Sequence, residues 1–331
     1  MTFVVDGNLG AGFPDGSYQP SSASPYVLKN RLVNGSFAID QRNAGASQTF
    51  TAAAAVAYTV DRWYGSCTGA NITGQRVAGT SPNQYAYRFT GAASNTATLF
   101  GQRIESFNTY DLISTTVTGS VTLKSSSITS VTWTAYYANS SDTFSSKTSI
   151  ATGTLTINST ATRYSFSFNA GANAGNGIAI EFTTGALTAT NTLQYENAQI
   201  EIGSTATPFE RRLYNQELAN CQRYCYRASY TGTGTPVGAG FWSNATLVAT
   251  ACKLATTMRA APTLSYSAIG DIQCLDRDVA WRAGTSSLVI NEAGTDVVNV
   301  GVVCTTGSTQ GFGTVMEIRG STGWLQFSSE L

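Results

Sequence analysis

The stretch Ser130-Val131-Thr132-Trp133-Thr134-Ala135-Tyr136-Tyr137 carries its apolar side chains mainly at every second position, with Ser and Thr between them. Successive side chains of a pleated strand point to opposite faces, so this spacing predicts one face packed on a partner layer. Ser120-Val121-Thr122-Leu123-Lys124, Arg163-Tyr164-Ser165-Phe166-Ser167-Phe168 and Ile178-Ala179-Ile180-Glu181-Phe182 repeat the pattern. From Leu32 to about Phe209, such runs are broken by Gly or Asn at intervals of roughly 8–12 residues, the cadence of an antiparallel sandwich. Period two wins over 3.6 throughout this region.

On the N-terminal side, residues 1–29 are rich in Gly, Ser, Pro and Asp, a composition that buries little surface, and are read as an extended docking arm. On the C-terminal side, the residues from Arg211 to Arg227 predict the one helix, because Tyr214, Leu218, Cys221 and Cys225 recur at steps of four, three and four. Glu210 at its start and Arg223 and Arg227 near its end would complement the helix dipole. Strand texture returns after Gly232-Thr233-Gly234-Thr235-Pro236, clearest in Ser287-Leu288-Val289-Ile290, Asp296–Val303 and Gly323-Trp324-Leu325-Gln326-Phe327. The expected order is an arm (1–29), a β-sandwich (30–209), a connecting helix (210–228) and a smaller C-terminal β domain (229–331).

Composition narrows the chemistry. The 331 residues include 19 basic and 19 acidic side chains, giving zero net charge, and no histidine. The charged fraction is 11%, against about 25% in average globular proteins. Without histidine there is no Ser-His-Asp or Cys-His nucleophile system and no imidazole-bound zinc. The even charge mixture offers no footprint for nucleic acid. No apolar run reaches the roughly 18 residues of a membrane span, and Met1-Thr2-Phe3-Val4-Val5-Asp6 lacks the features of a secretory signal. Six cysteines, at 67, 221, 225, 252, 274 and 304, are read as free buried thiols in preference to a disulfide framework. The C-x3-C pair Cys221 and Cys225 lacks the further ligands of a zinc site, and neither metal nor cofactor is expected.

Two blocks go beyond texture. Asn30-Arg31-Leu32-Val33-Asn34-Gly35-Ser36-Phe37, with Ile39-Asp40-Gln41-Arg42 and Tyr58-Thr59-Val60-Asp61-Arg62-Trp63-Tyr64, resembles the start of jelly-roll modules of phage and prophage tail-fibre proteins, which are similar to carbohydrate-binding modules. Leu193-Gln194-Tyr195-Glu196-Asn197-Ala198-Gln199-Ile200-Glu201-Ile202-Gly203-Ser204-Thr205-Ala206-Thr207-Pro208-Phe209-Glu210, followed by Glu217–Tyr224, resembles the closing strand and helix of the same proteins. The resemblance covers roughly residues 30–228. It implies an all-β jelly roll in a virion component assembled in the host cytoplasm: a homotrimeric tail fibre that docks on other virion proteins through its arm and contacts a host-surface polysaccharide or receptor. A capsid-decorating head fibre or tail adaptor, binding mainly other virion proteins, is the alternative.

Within the first block, Asn34-Gly35 predicts a tight turn that tolerates positive φ. Asp61 and Arg62, paired with each other or across strands, would fix a sheet edge while Trp63 fills the core. Sugar recognition needs exposed aromatic faces beside amide, carboxylate or guanidinium groups. In the sandwich, Trp133 and Tyr137 share a face and Tyr136 takes the other, so Tyr136 with Asn139 and Asp142 of the following loop forms one candidate site. In the distal domain, Trp242 and the charge cluster Asp276, Asp278, Trp281 and Arg282 form a second, for which a solvated loop with a local ion pair is the plainer account. The stripe Tyr214, Leu218, Cys221 and Cys225 is the candidate oligomer contact. A depolymerase would need two carboxylates about 5–9.5 Å apart. Glu105 with Asp111, or Glu181, Glu196 and Glu201, could serve, but none sits in a catalytic motif, and no enzyme is expected.

Overall fold

The alternation read from the strands delivers two inner faces that close on one another. In the computed structural model, which describes residues 4–6, 10–12, 18–19, 29–305 and 308–331, two six-stranded antiparallel sheets pack face to face. One runs in the order Thr162–Asn169, Thr116–Ser125, Thr192–Ile202, Tyr85–Thr90, Ile72–Ala78 and Gln48–Phe50. The other runs Thr143–Thr156, Ser130–Ser140, Ile178–Thr184, Ala97–Ile104, Trp63–Thr68 and Ala57–Tyr58. Strands distant in sequence are neighbours in both, so the sandwich is a jelly roll assembled from non-local pairings.

Aromatic rings fill the space between the sheets. Trp133 stacks on Phe166 with centroids 4.2 Å apart, and Phe100 stacks on Tyr87 at 4.8 Å, each pair joining one sheet to the other. Gly119 makes the first contact possible, since a Cβ there would lie 2.2 Å from the Phe166 ring. Trp63 is fully buried, as expected, and lies 4.9 Å from Phe100 and 5.1 Å from Phe37.

The one α-helix among the described residues is shorter than its sequence pattern suggests. It spans Tyr214–Gln222, and Cys225–Ser229 is a strand paired with Trp324–Ser328, Cys225 opposite Ser328. The expected stripe therefore does not form one helical face: Tyr214 is exposed, Leu218 half-buried, and Glu217 and Cys221 are the buried helical positions. Glu210 and Arg227 lie outside the helix and do not serve its dipole. Tertiary pairing overrode the 3.6 periodicity at the C-terminal end, where Cys225 is buried opposite Ser328 and Ala228 joins the distal core.

Beyond the helix, a second core forms around Trp242, Val248, Ile272, Val300, Met316 and Phe327. Its seven-stranded sheet runs Trp281–Ala283, Ile272–Leu275, Gly313–Ile318, Thr235–Trp242, Leu247–Lys253, Val297–Val303 and Val289–Ala293. A bridge from Gly284 to Cys304 draws the sheet toward closure. Cys225–Ser229, Trp324–Ser328 and Thr263–Tyr266 make an additional three-stranded sheet. All six cysteines are free and buried. The arm expected over 1–29 lies mostly outside the described residues; Val4–Asp6, Gly10–Gly12 and Tyr18–Gln19 are short strands paired with one another.

Candidate functional site

The two sequence blocks meet in space, and hydrogen bonding explains their residue types. Asn30 donates from Nδ2 to the Ala198 carbonyl at 3.0 Å, and its Oδ1 accepts from the backbone N–H groups of Leu32 and Ile200, both at 3.0 Å. Asn34 has φ +59°; its Nδ2 donates to the carbonyls of Ile39 (2.8 Å) and Asp61 (3.0 Å), and its own carbonyl accepts from Trp63 Nε1 at 3.0 Å. Gly35 is required by close approach, because a Cβ there would lie 2.1 Å from the Ala198 carbonyl oxygen. From the second block, Glu210 accepts from the Asn30 N–H at 2.8 Å, and Glu217 accepts from the Asn34 N–H. Arg212 closes the assembly by donating to the carbonyls of Asn30 and Leu32 while pairing with Glu217 at 3.2 Å.

Behind this assembly, buried charges tie the sandwich to the distal domain. Arg62, with φ +73°, is fully buried; its guanidinium lies 3.5 Å from the Tyr224 ring centroid and pairs with Glu330. Arg42 pairs with Asp61 at 3.3 Å and with Glu330 at 2.9 Å, so, of the two arrangements expected, Asp61 and Arg62 do not pair with each other, and each has its own partner elsewhere in the chain. Gln41 Nε2 donates both to Asp61, at 2.6 Å, and to the Cys225 carbonyl, at 2.8 Å. Burial pushes the Asp61 carboxyl up to about 6, against the pull of Arg42. Arg223 grips Glu105 through Nε and Nη2, and Tyr224 donates to the same carboxylate at 2.9 Å. The Leu331 carbonyl accepts from Tyr58, at 2.7 Å, and from Arg103, pinning the end of the described chain onto the sandwich.

In front of it lies a groove with two lobes that share Asn30 and Arg212. The first, about 300 Å³, is walled by Tyr85, Phe209, Leu213 and Tyr214, with Gln84, Asn197 and Arg211 as polar groups. The second, about 470 Å³, is lined by Arg31, Val33, Phe107, Asn108, Asn220, Arg223 and Tyr224. Leu213 and Phe107 are 80% and 85% exposed, and Tyr110, in the same loop as Phe107, is 75% exposed. Large apolar side chains left this open beside amides and guanidiniums form a surface suited to a ligand with both ring faces and hydroxyl or charged groups.

The sequence-derived candidates fall elsewhere. Tyr136 is half-buried under Lys147, whose ammonium lies 4.2 Å from the ring centroid. Asn139 is engaged with Ser146 and Thr148, both at 2.7 Å, and Asp142 accepts from the Ser106 N–H at 2.7 Å and its hydroxyl at 3.0 Å. These three residues hold loops together and present no open ring face. The distal candidates do come together, but as a scaffold: Trp242 is fully buried and donates to the Leu275 carbonyl at 2.9 Å. Asp276, also buried, accepts from the N–H groups of Asp278 (2.9 Å) and Ala280 (2.8 Å) and pairs with Arg282. Trp281 is half-buried with Arg319 4.2 Å above its ring, and Asp278 pairs with Arg277 at the surface.

As an oligomer contact, the stripe keeps only Tyr214 and part of Leu218, since Cys221 and Cys225 are buried within their own chain. Burial pushes both thiols up, Cys225 to about 12, which keeps them protonated. The carboxylates considered for catalysis are each held by the chain: Glu105 by Arg223, Asp111 by Arg31, Glu181 by Lys147 and Tyr64, Glu196 by Thr80 and Asn83, and Glu201 by Thr207. Among the described residues, no His, Cys, Asp and Glu side chains group as a metal site.

Sequence reasoning missed Arg31, Phe107, Asn108, Tyr110, Arg212, Leu213 and Asn220. A signal was present in Ser106-Phe107-Asn108-Thr109-Tyr110, where two large rings stand three apart in a segment without strand alternation.

No protein-family model matches the chain, and no curated protein matches it. Among solved structures, the carbohydrate-binding module TmCBM61 in complex with β-1,4-galactotriose superimposes with a TM-score of 0.35 and 11% identity, over 53% of this chain and 100% of that one. The CBM22-1 xylan-binding domain from Paenibacillus barcinonensis gives 0.31 and 11%, over 50% and 99%. The enzymatically active domain of bacteriophage CBA120 tailspike protein 4 gives 0.33 and 12%, over 53% and 21%.

Proposed function

We propose that this protein is a glycan-binding, non-enzymatic virion protein, a phage tail fibre that attaches to host-surface polysaccharide. The observation that carries the glycan part is the groove: exposed Phe107, Leu213 and Tyr214 stand beside Asn108, Asn220 and Arg211 on a rigidly braced floor. Pre-organised rings and amides bind sugars without first being ordered, and the braced Asn30–Arg212 floor supplies that rigidity. The virion part is supported by the resemblance of residues 30–42, 58–64 and 193–224 to fibre modules. A surface poor in charge suits weak contacts multiplied by several copies, as a homotrimeric fibre would provide.

The non-enzymatic reading draws on the carboxylates. A glycosidase acid needs a free carboxyl poised between protonation states, whereas Glu105, Glu181, Glu196 and Glu201 are committed to neighbours in their own chain. Two measurements test the proposal. The purified chain is expected to pull down intact bacterial surface polysaccharide without shortening it; no binding, or release of reducing ends, counts against it. Labelled particles imaged by negative stain should carry the chain at the tail tip, and label on the head would replace the tail fibre with a capsid-decorating fibre.

A further inference from the structure

The two lobes of the groove differ in charge. Glu210 and Glu217 line the lobe beside the helix, together with Arg211 and Arg212. The other lobe is lined by Arg31, Arg212 and Arg223, and no carboxylate lines it. Arg212 is consumed by its own chain, donating to Asn30, Leu32, Glu210 and Glu217. Arg31 and Arg223 are not consumed. Arg31 gives Nη2 to Asp111, which leaves Nη1 without a partner among the described residues. Arg223 gives Nε and Nη2 to Glu105, which leaves Nη1 for another acceptor.

A guanidinium offers five N–H donors in a planar fork that matches a carboxylate, so an arginine that spends only part of its fork on its own chain can bind a second acceptor. Phe107 stands at the same lobe with its ring open to solvent, and Asn108 and Asn220 supply amides for hydroxyl groups. We infer that this lobe takes the carboxylate of an acidic sugar, bound between Arg31 and Arg223 with its ring against Phe107, while the first lobe takes a neutral neighbour in the same glycan. The inference rests on the glycan reading above and names the class of glycan.

The test measures binding of the full chain to four probes: oligogalacturonate, its methyl ester, sialyllactose and lactose. At least one acid should bind about tenfold or more tightly than its neutral counterpart, with the advantage shrinking as salt rises. A preference for oligogalacturonate would assign a backbone uronate, and one for sialyllactose a terminal sugar acid. Arg31→Gln should remove the preference for acid, read as the ratio of acid to neutral affinity within the same variant, since it takes away the guanidinium that pairs with Asp111 at the lobe. Asp111→Asn, which frees Arg31, should strengthen acid binding. Equal binding of acid and neutral probes, or an Arg31→Gln chain that keeps its preference, overturns the inference and leaves the glycan reading standing. Binding of none of the four also overturns it, and the polysaccharide pull-down then decides the glycan reading separately.

Discussion

The junction behind the groove and the groove itself share the short segments 30–42, 105–112 and 210–224, to which the junction adds Asp61, Arg62 and Glu330, yet they spend their residues in opposite ways. At the junction, Arg62, Asp61 and Glu330 are charged and buried, each matched by a partner at short range. At the groove, Phe107 and Leu213 are apolar and exposed, with none of the described residues covering them. Each arrangement is costly taken alone: a buried charge loses hydration, and an open ring remains in water. The first cost is met inside the molecule by hydrogen bonds and ion pairs. The second is met only when something else covers the ring, so the contrast separates what holds this protein together from what it offers to a partner.

Four substitutions would break or sharpen that contrast. Arg62→Ala removes one of the two cationic partners of Glu330 and should cost about 3 kcal/mol in denaturant unfolding; a loss under about 1 kcal/mol would mean that the junction is not a clamp. Glu217→Ala leaves the Asn34 N–H without its acceptor and takes one of four from Arg212, for an expected loss of about 1–3 kcal/mol.

Asp61→Asn probes the junction through pH. The folded carboxyl titrates near 6, above the roughly 3.9 of an unfolded chain, so between these values the folded state binds more protons. Its contribution is fully present below about pH 4 and is lost as pH rises through 6. The stability of the parent relative to Asp61→Asn should therefore fall between pH 4 and 6 and stay flat above. A difference that rises with pH would show that Arg42 dominates burial. Smallest in stability is Phe107→Ala, expected within about 0.5 kcal/mol of the parent in unfolding. The same substitution should weaken glycan binding about fivefold or more, a combination no junction residue should show.

The sandwich was legible because period-two alternation survives wherever one face is buried, as in Ser130–Ser140 and Thr162–Asn169. The motif blocks were legible as motifs, although their work turned out to be bracing: Asn30, Asn34 and Gly35 serve backbone hydrogen bonds and close packing. The helix end was misread because Cys221 and Cys225 satisfy a helical step of four while Cys225 is held by pairing with Ser328, a contact more than a hundred residues away in sequence. The same distance hid the groove. Arg31, Phe107 and Arg223 come from three separate segments, and nothing local in any of them announces the other two. Trp242 and Asp276 drew notice as large and charged residues, yet those properties serve the distal core and its loop as readily as a ligand.

Hydrogen–deuterium exchange of the full chain, with and without the polysaccharide it retains, tests the central claim most directly. Protection is predicted in peptides covering 30–33, 105–112 and 211–224, with 136–142 and 276–282 unchanged. Protection confined to 136–142 or 276–282, with the groove segments unaffected, would contradict the account.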